Sequence, residues 1–255
     1  KFSKYLPENG WNPIVYTPDS PSFSIQDIDL IKDVSPETEV WKYPIWEPYT
    51  LGGKFFRKNM LSNAGVIQNR SSLTNKIVHW VRGNVFIPDP KIFWVKPSVK
   101  LLVKKIKEHQ ISHIVSTGPP HSMHLIGLGI KKKIPSIRWI ADFRDPWSKL
   151  DILDNFHLNR RSRSKHLKLE REVLDHADIT LTVSENWRSS FEELGAKNVE
   201  VITNGFDQED FTTTPDNYSN DKFVVGHFGL LNHLRNPKQL WFNLNQLCES
   251  DAGFN

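Results

Sequence analysis

The 255 residues include one cysteine, Cys248. A single thiol excludes an intramolecular disulfide framework and a cysteine zinc cluster, and it points to a reducing, cytoplasmic setting. No apolar run approaches the ~18 residues needed to span a bilayer. The opening Lys1-Phe-Ser-Lys-Tyr-Leu-Pro turns polar within a few residues, unlike the apolar core of a secretion signal. Charge of one sign is also scarce: 33 Lys and Arg against 29 Asp and Glu leave a formal net charge of +4. That is too mild to imply nucleic acid, and no reading helix or RNA-binding signature accompanies it. Hydrophobic content of 38% and charged content of 24% fit a soluble globular protein of one large domain or two small ones.

The positive charge is unevenly placed. Arg160, Arg161, Arg163, Lys165, Lys168 and Arg171 crowd one segment, with His157 and His166 beside them, and Lys131–Lys133 and Lys104–Lys107 form smaller groups. Such runs are solvated helix faces, or they meet an anionic membrane surface or a phosphate-bearing substrate.

Periodicity gives an alternating order of strands and helices. Trp11–Tyr16 and Glu39–Tyr43 read as strands, and Ile25–Lys32 as an acidic helix. The stretch 44–90 loses clear period, with Ser72–Val81 its best helix. Val99, Leu102, Val103 and Ile106 make Pro97–His109 an amphipathic helix. Strands then follow at Ser112–Ser116, Ser136–Ala141, Asp178–Val183 and Val199–Ile202. Helices alternate with them at His121–Lys133, Arg163–His176 and Glu185–Leu194, the last N-capped by Ser184 and closed by Gly195. Residues 210–221 are poor in apolar side chains and read as a linker. A strand at Phe223–Phe228 and a helix at Pro237–Leu247 follow it. This alternation predicts an α/β fold: a Rossmann-like parallel sheet with helices on both faces over 1–209, and the start of a second such domain at 222–255.

In such sheets ligands collect outside the carboxyl ends of the strands. Asp142-Phe-Arg-Asp-Pro-Trp147 ends one strand there. Its Asp142, Arg144 and Asp145 form either a buried ion-pair turn or part of a cleft wall, in which a carboxylate accepts from substrate hydroxyls and Trp147 meets a sugar ring. Ser184 stands at the tip of the strand 178–183, on the same side. His121 and His124 lie in the first turn of a helix after Gly118-Pro119-Pro120. They either cap that helix and pack in the core, or they face an anion at its free amides and exchange protons. No third ligand supports a metal there. Gly226-His-Phe-Gly229 with Arg235 is neither a Walker loop nor a dinucleotide fingerprint. Its glycines nevertheless allow close backbone approach to a phosphate that Arg235 would neutralise.

The ordered set Lys1-Phe-Ser-Lys-Tyr-Leu-Pro-Glu-Asn-Gly-Trp11, Ala141-Asp-Phe-Arg-Asp-Pro-Trp147, Ala177-Asp-Ile-Thr-Leu-Thr-Val-Ser184, Ile202-Thr-Asn-Gly-Phe-Asp207 and the turn at Gly229 resembles group 1 (family 4) glycosyltransferases, with bacterial members the nearest in look. The resemblance implies a GT-B architecture: two Rossmann-like domains, the first receiving the acceptor and the second a nucleotide-activated sugar. It implies transfer with retention, no required metal and no covalently bound cofactor. His121 or His124 then matches the histidine of the active cleft, joined by Asp142 as a catalytic candidate. Arg144, Asp145, Trp147 and Ser184 fall on the acceptor side, and Asn204, Gly205, Gly229 and Arg235 on the donor side. Two departures stand out. Leu230 follows Gly229 where many members carry arginine, and the donor-gripping Glu-x7-Glu lies beyond Asn255.

Members also open with a strand and a glycine turn ahead of Phe2–Leu6. The 255 residues alone are therefore expected to fold poorly, unless another segment fills that place, and to be inactive by themselves.

The expected function is transfer of a hexose to a glycan or lipid-linked acceptor in polysaccharide synthesis, in the cytoplasm or peripheral to the inner face of its membrane. The rivals are another GT-B enzyme, such as a sugar epimerase or phosphorylase, and a non-catalytic module that binds a glycan or an anionic membrane. A phosphorylase would need a pyridoxal phosphate lysine, and none stands in a recognisable context.

Overall fold

The computed structural model describes residues 2–20, 31, 34–47, 73–211, 224, 226, 227, 229, 236–251 and 253. They fall into two compact units, Lys1–Gly205 and Phe206–Asn255. The first unit opens with the short helix α1 (Phe2–Tyr5) and the parallel pair β1 (Ile14–Asp19) and β2 (Glu39–Pro44). Helices α2 (Leu73–Asn84) and α3 (Ile92–Glu108) follow. A four-stranded parallel sheet comes next: β3 (His113–Gly118), α4 (Ser122–Lys133), β4 (Arg138–Phe143), α5 (Arg160–His176), β5 (Ile179–Thr182), α6 (Glu185–Leu194) and β6 (Val199–Val201), in the spatial order β3-β4-β5-β6. This is the expected Rossmann-like α/β arrangement of parallel sheets flanked by helices. In the second unit the described residues form helix α7 (Lys238–Ser250). The expected helix Ile25–Lys32 lies outside the described residues except Ile31. So does most of the linker 210–221, and of the strand Phe223–Phe228 only Val224, Gly226 and His227 are described.

Several boundaries differ from the sequence reading. Helix α3 starts at Ile92, so Pro97 lies inside it. The helix accepts the proline because Trp94 and Ser98, one turn apart, are both buried beneath it, and only one backbone bond is lost. Strand β4 runs to Phe143, which places Asp142 within the sheet. Helix α5 gains its first turn because the Asn159 side chain accepts from Ser162 N at 2.8 Å.

Strand pleating decides the core. Trp139, Ala141 and Phe143 alternate onto one face of β4 and are fully buried there against Leu125 and Leu128 of α4, Val173 and Leu174 of α5 and Phe191 of α6. A second cluster joins α3 to α4 and to β2 through Trp41, Trp94, Leu102, Ile106, Ile126, Ile130 and Ile137. Tyr16 of β1 stacks on Trp94 and donates to Ser98 Oγ at 2.8 Å, which ties the first sheet to α3. Burial pushes the Tyr16 phenol up to about 12, so it remains a donor.

Gly127 is where α4 meets β4. A Cβ at this position would stand 2.5 Å from the Trp139 indole. Gly127→Ala should therefore cost about 1–3 kcal/mol by overpacking. Trp139→Phe should recover part of that loss in the double variant, read from thermal melts as a coupling energy. Additive losses would show that the two positions do not share the space.

Candidate active site

Parallel register lines up the carboxyl ends of the strands. Gly118 pairs with Phe143, Phe143 with Thr182, and Thr182 with Val201. The segments Pro119–His121, Arg144–Trp147, Val183–Ser184 and Ile202–Gly205 therefore leave the sheet along one rim, the side on which such sheets bind ligands.

The two histidines sit just beneath this rim. The His124 ring is fully buried and stacks on Phe143 with centroids 4.1 Å apart. Its Nδ1 lies 2.9 Å from Ser116 Oγ, which also accepts from Trp139 Nε1 at 2.9 Å. His121 is 6% exposed and lies flat on Trp147, 5.1 Å between centroids with the planes 2° apart. His124 Nε2 is buried without a hydrogen-bond partner among the described residues, and the equally buried His121 ring lies against the Pro146 backbone. Burial holds the His121 imidazole down at about 3, with the neighbouring His166 adding to the effect. Burial likewise holds His124 well below its usual range, helped by His121. Both rings are thus neutral at pH 7. A base this weak takes no proton there in the resting site, so each ring acts as a hydrogen-bonding group.

Gly118 makes this packing possible. A Cβ on it would stand 2.6 Å from His124 Nε2 and 3.2 Å from His121 Nδ1. The helix end is organised by Asp89, whose carboxylate accepts from Ser122 N and Ser122 Oγ at 2.8 Å each and from Lys91 N at 2.9 Å. Met123 N and His124 N bond to Pro120 O and His121 O. The first amides of α4, expected from the sequence to face an anion, are engaged within the protein.

The loop after β4 is held from α5. Glu170, fully buried, accepts from Trp147 N and Ser148 N at 3.1 Å each, and His166 Nδ1 accepts from Trp147 Nε1 at 3.0 Å. Burial raises the Glu170 carboxyl and lowers the His166 imidazole; a neutral His166 is what an accepting Nδ1 requires. Arg144 is exposed and reaches back to Pro119 O at 2.8 Å, and Asp145 is exposed beside it.

The structure therefore brings His121, His124 and Trp147 together but turns Asp142 away from them. Asp142 accepts from Thr117 Oγ1 at 2.8 Å. Thr117 and Asp142 alternate with Ser116, Gly118 and Phe143, so this pair lies on the face of the sheet opposite the imidazoles. Trp147 is buried under His121 and forms no open wall. Ser184 caps α6, accepting from Trp187 N at 3.4 Å. Asn204 and Gly205 are exposed after β6, at the end of the first unit. In the second unit Gly229 takes φ +132, open to glycine alone, and Arg235 lies outside the described residues. Among the described residues no group of three His, Cys, Asp or Glu side chains could hold a metal ion.

Four supporting residues escaped the sequence reading: Asp89, Ser116, His166 and Glu170. The last two had a signal, since Ser162, His166, Glu170 and Val173 form a buried helical stripe inside the basic run. Asp89, 33 residues from its partner Ser122, had none.

A family model described as Glycosyltransferase Family 4 matches residues 1–210. No curated protein matches the chain, and no solved structure does.

Two outcomes follow from the buried imidazoles. Their folded pKa values lie below the unfolded value near 6.5, so the unfolded chain binds more protons in between. The stability they contribute is present above pH 6.5 and is lost on acidification, by about 1.4 kcal/mol per pH unit for each histidine within that window. The stability gap between the native protein and His121→Asn should therefore narrow from pH 7.5 to pH 5, measured by denaturant titration; a constant gap would contradict the assignment. Separately, Gly118→Ala should lower stability by about 1–3 kcal/mol through its clash with the rings. It should also shift the His121 and His124 ring resonances, and unchanged resonances would show that Gly118 does not set their packing.

Proposed function

The chain belongs to glycosyltransferase family 4, and from that premise we propose that it transfers a hexose from a nucleotide-activated donor to a glycan or lipid-linked acceptor. The observation that carries this reading is that the family match covers the unit whose strand ends gather His121, His124 and the loop 144–147 on one rim. A transferase needs hydrogen-bonding groups held rigidly beside the departing sugar and shielded from water. The His121 ring, clamped on Trp147, suits that role, and His124 supports it from below.

On this reading transfer proceeds with retention, which requires no protein base. The low basicity of the two imidazoles agrees with that. Arg144 and Asp145, exposed at the rim, contact acceptor hydroxyls, and Ser184 bounds the same side. Asp142, on the opposite face of the sheet, braces β3 against β4 through Thr117. By the family resemblance, donor contacts fall to Asn204, Gly205, Gly229 and Arg235. Gly229 leaves its backbone open to a phosphate, and Arg235 would offset the charge that develops as the bond breaks.

The test is titration of the full-length protein with uridine, thymidine, cytidine, guanosine and adenosine diphosphates, followed by product analysis with the matching labelled nucleotide sugar. At least one diphosphate should bind, and the label should move to an acceptor. His121→Asn should lower turnover by about a hundredfold while leaving diphosphate affinity within a few-fold. Absence of binding to all five, or an epimerised sugar still attached to its nucleotide, would overturn the proposal.

A further inference from the structure

Trp147 is gripped twice from α5, at points one helical turn apart. Glu170 accepts from its backbone N–H at 3.1 Å, and His166 Nδ1 accepts from its indole Nε1–H at 3.0 Å. The spacing i, i+4 puts both acceptors on one face of the helix, and all three residues are sealed from water. The two bonds do different things. The Glu170 bond fixes the main chain of the loop but leaves the indole free to turn about its side-chain torsions. The His166 bond removes that freedom, because it holds the edge of the ring itself.

The plane of the indole matters because His121 lies on it, parallel to within 2° and with centroids 5.1 Å apart. A stacked pair has no directional bond of its own, so the tilt of one ring follows that of the other. His166 is in turn anchored from a third element. Its ring lies against the Gly83 backbone at the end of α2, where a Cβ would stand 2.6 Å from both Phe156 and Leu158. Contacts therefore run in one line from Gly83 through His166 and Trp147 to His121. Burial holds the His166 imidazole below its ordinary range; the Gly83 backbone opposes this, and Lys165 and Arg163 add to it. A neutral Nδ1 keeps the lone pair with which it accepts.

We propose that His166 is a positioning residue for sugar transfer: its bond to the Trp147 indole sets the plane in which His121 meets the departing sugar. The role in transfer rests on the transferase reading, whereas the clamp itself does not.

The experiment compares three variants of the full-length protein. His166→Phe keeps a buried ring and removes the acceptor. His166→Asn keeps an acceptor, since its Oδ1 stands as many bonds from the main chain as Nδ1 does. Trp147→Phe keeps a ring under His121 and removes the donor. Turnover is followed with the labelled nucleotide sugar whose diphosphate binds, and the His121 ring resonances are recorded without ligand. His166→Phe should lower kcat at least about tenfold and leave the KM of the nucleotide sugar within about threefold, because a misplaced group costs rate rather than affinity. His166→Asn should recover most of that loss. Trp147→Phe should cost about as much as His166→Phe, and the double variant no more than either, since each removes the same bond. The His121 resonances should move with His166→Phe and stay near their native positions with His166→Asn.

A native kcat with His166→Phe, a loss confined to KM, equal losses with His166→Phe and His166→Asn, or additive losses in the double variant would each overturn the assignment. If His166→Phe does not fold, Trp147→Phe decides: a fall in kcat at unchanged KM sustains the role, and a native kcat overturns it. The two readings fail separately. Label transfer as fast with His166→Phe as in the native protein sinks the positioning role alone. His121 resonances that follow the acceptor at position 166, in a protein that takes up no nucleoside diphosphate, sink the transferase and leave the clamp.

Discussion

The parallel register of β4 between β3 and β5 is the constraint on which the rest depends. Pairing Gly118 with Phe143 and Phe143 with Thr182 brings three strand ends level, so the three connections that follow them start from a common line. The same pleat assigns every side chain of β4 to a face. Trp139, Ala141 and Phe143 become the floor beneath α4, α5 and α6, and Asp142 is turned to the other side with Thr117. A slip of one residue would exchange these sets, setting Asp142 among the apolar side chains of the floor and turning Trp139 and Phe143 away from them.

On that floor the site is assembled mainly by exclusion of water. His124 on Phe143 and His121 on Trp147 are stacked imidazole–aromatic pairs, and burial is the first cause of the depressed basicity of both rings. Rings that stay neutral avoid the large penalty of a buried charge, though each nitrogen left without a partner still carries a desolvation penalty. Such a penalty is tolerated where it prepares a surface for a ligand. The supporting shell follows the same economy. Asp89 satisfies the start of α4, and Glu170 satisfies the loop amides at Trp147 and Ser148, so the histidines and the loop are held by carboxylates that the cleft itself does not use.

Legibility in the sequence followed the range of the interaction. The elements of the four-stranded sheet were readable because each carries its own period, and α6 also its own caps in Ser184 and Gly195. Pro97 misled, since a proline usually marks a helix start, but buried Trp94 and Ser98 carried the helix past it. The two histidines and the loop 142–147 were readable as candidates because polar residues after a buried strand have few structural uses. Their grouping was not readable. Nothing local says that His121 would lie on Trp147, or that Asp142 would leave the cluster. The pair His166 and Glu170 was hidden by its own neighbourhood of arginines and lysines, whose exposure gave the helix a solvated look.

The sequence by itself determined the α/β class, the order of the strands, the transferase family and the place of the basic run, because periodicity, caps and ordered motifs are properties of neighbouring residues. Only the tertiary structure decided which side chains share a face, which are sealed from water and which carboxylates brace the rim. Those outcomes depend on register between strands and on contacts made across tens of residues, such as Asp89 with Ser122 and Trp147 with Glu170. Burial then set the charge state of the imidazoles, a quantity that no stretch of chain possesses before it is folded.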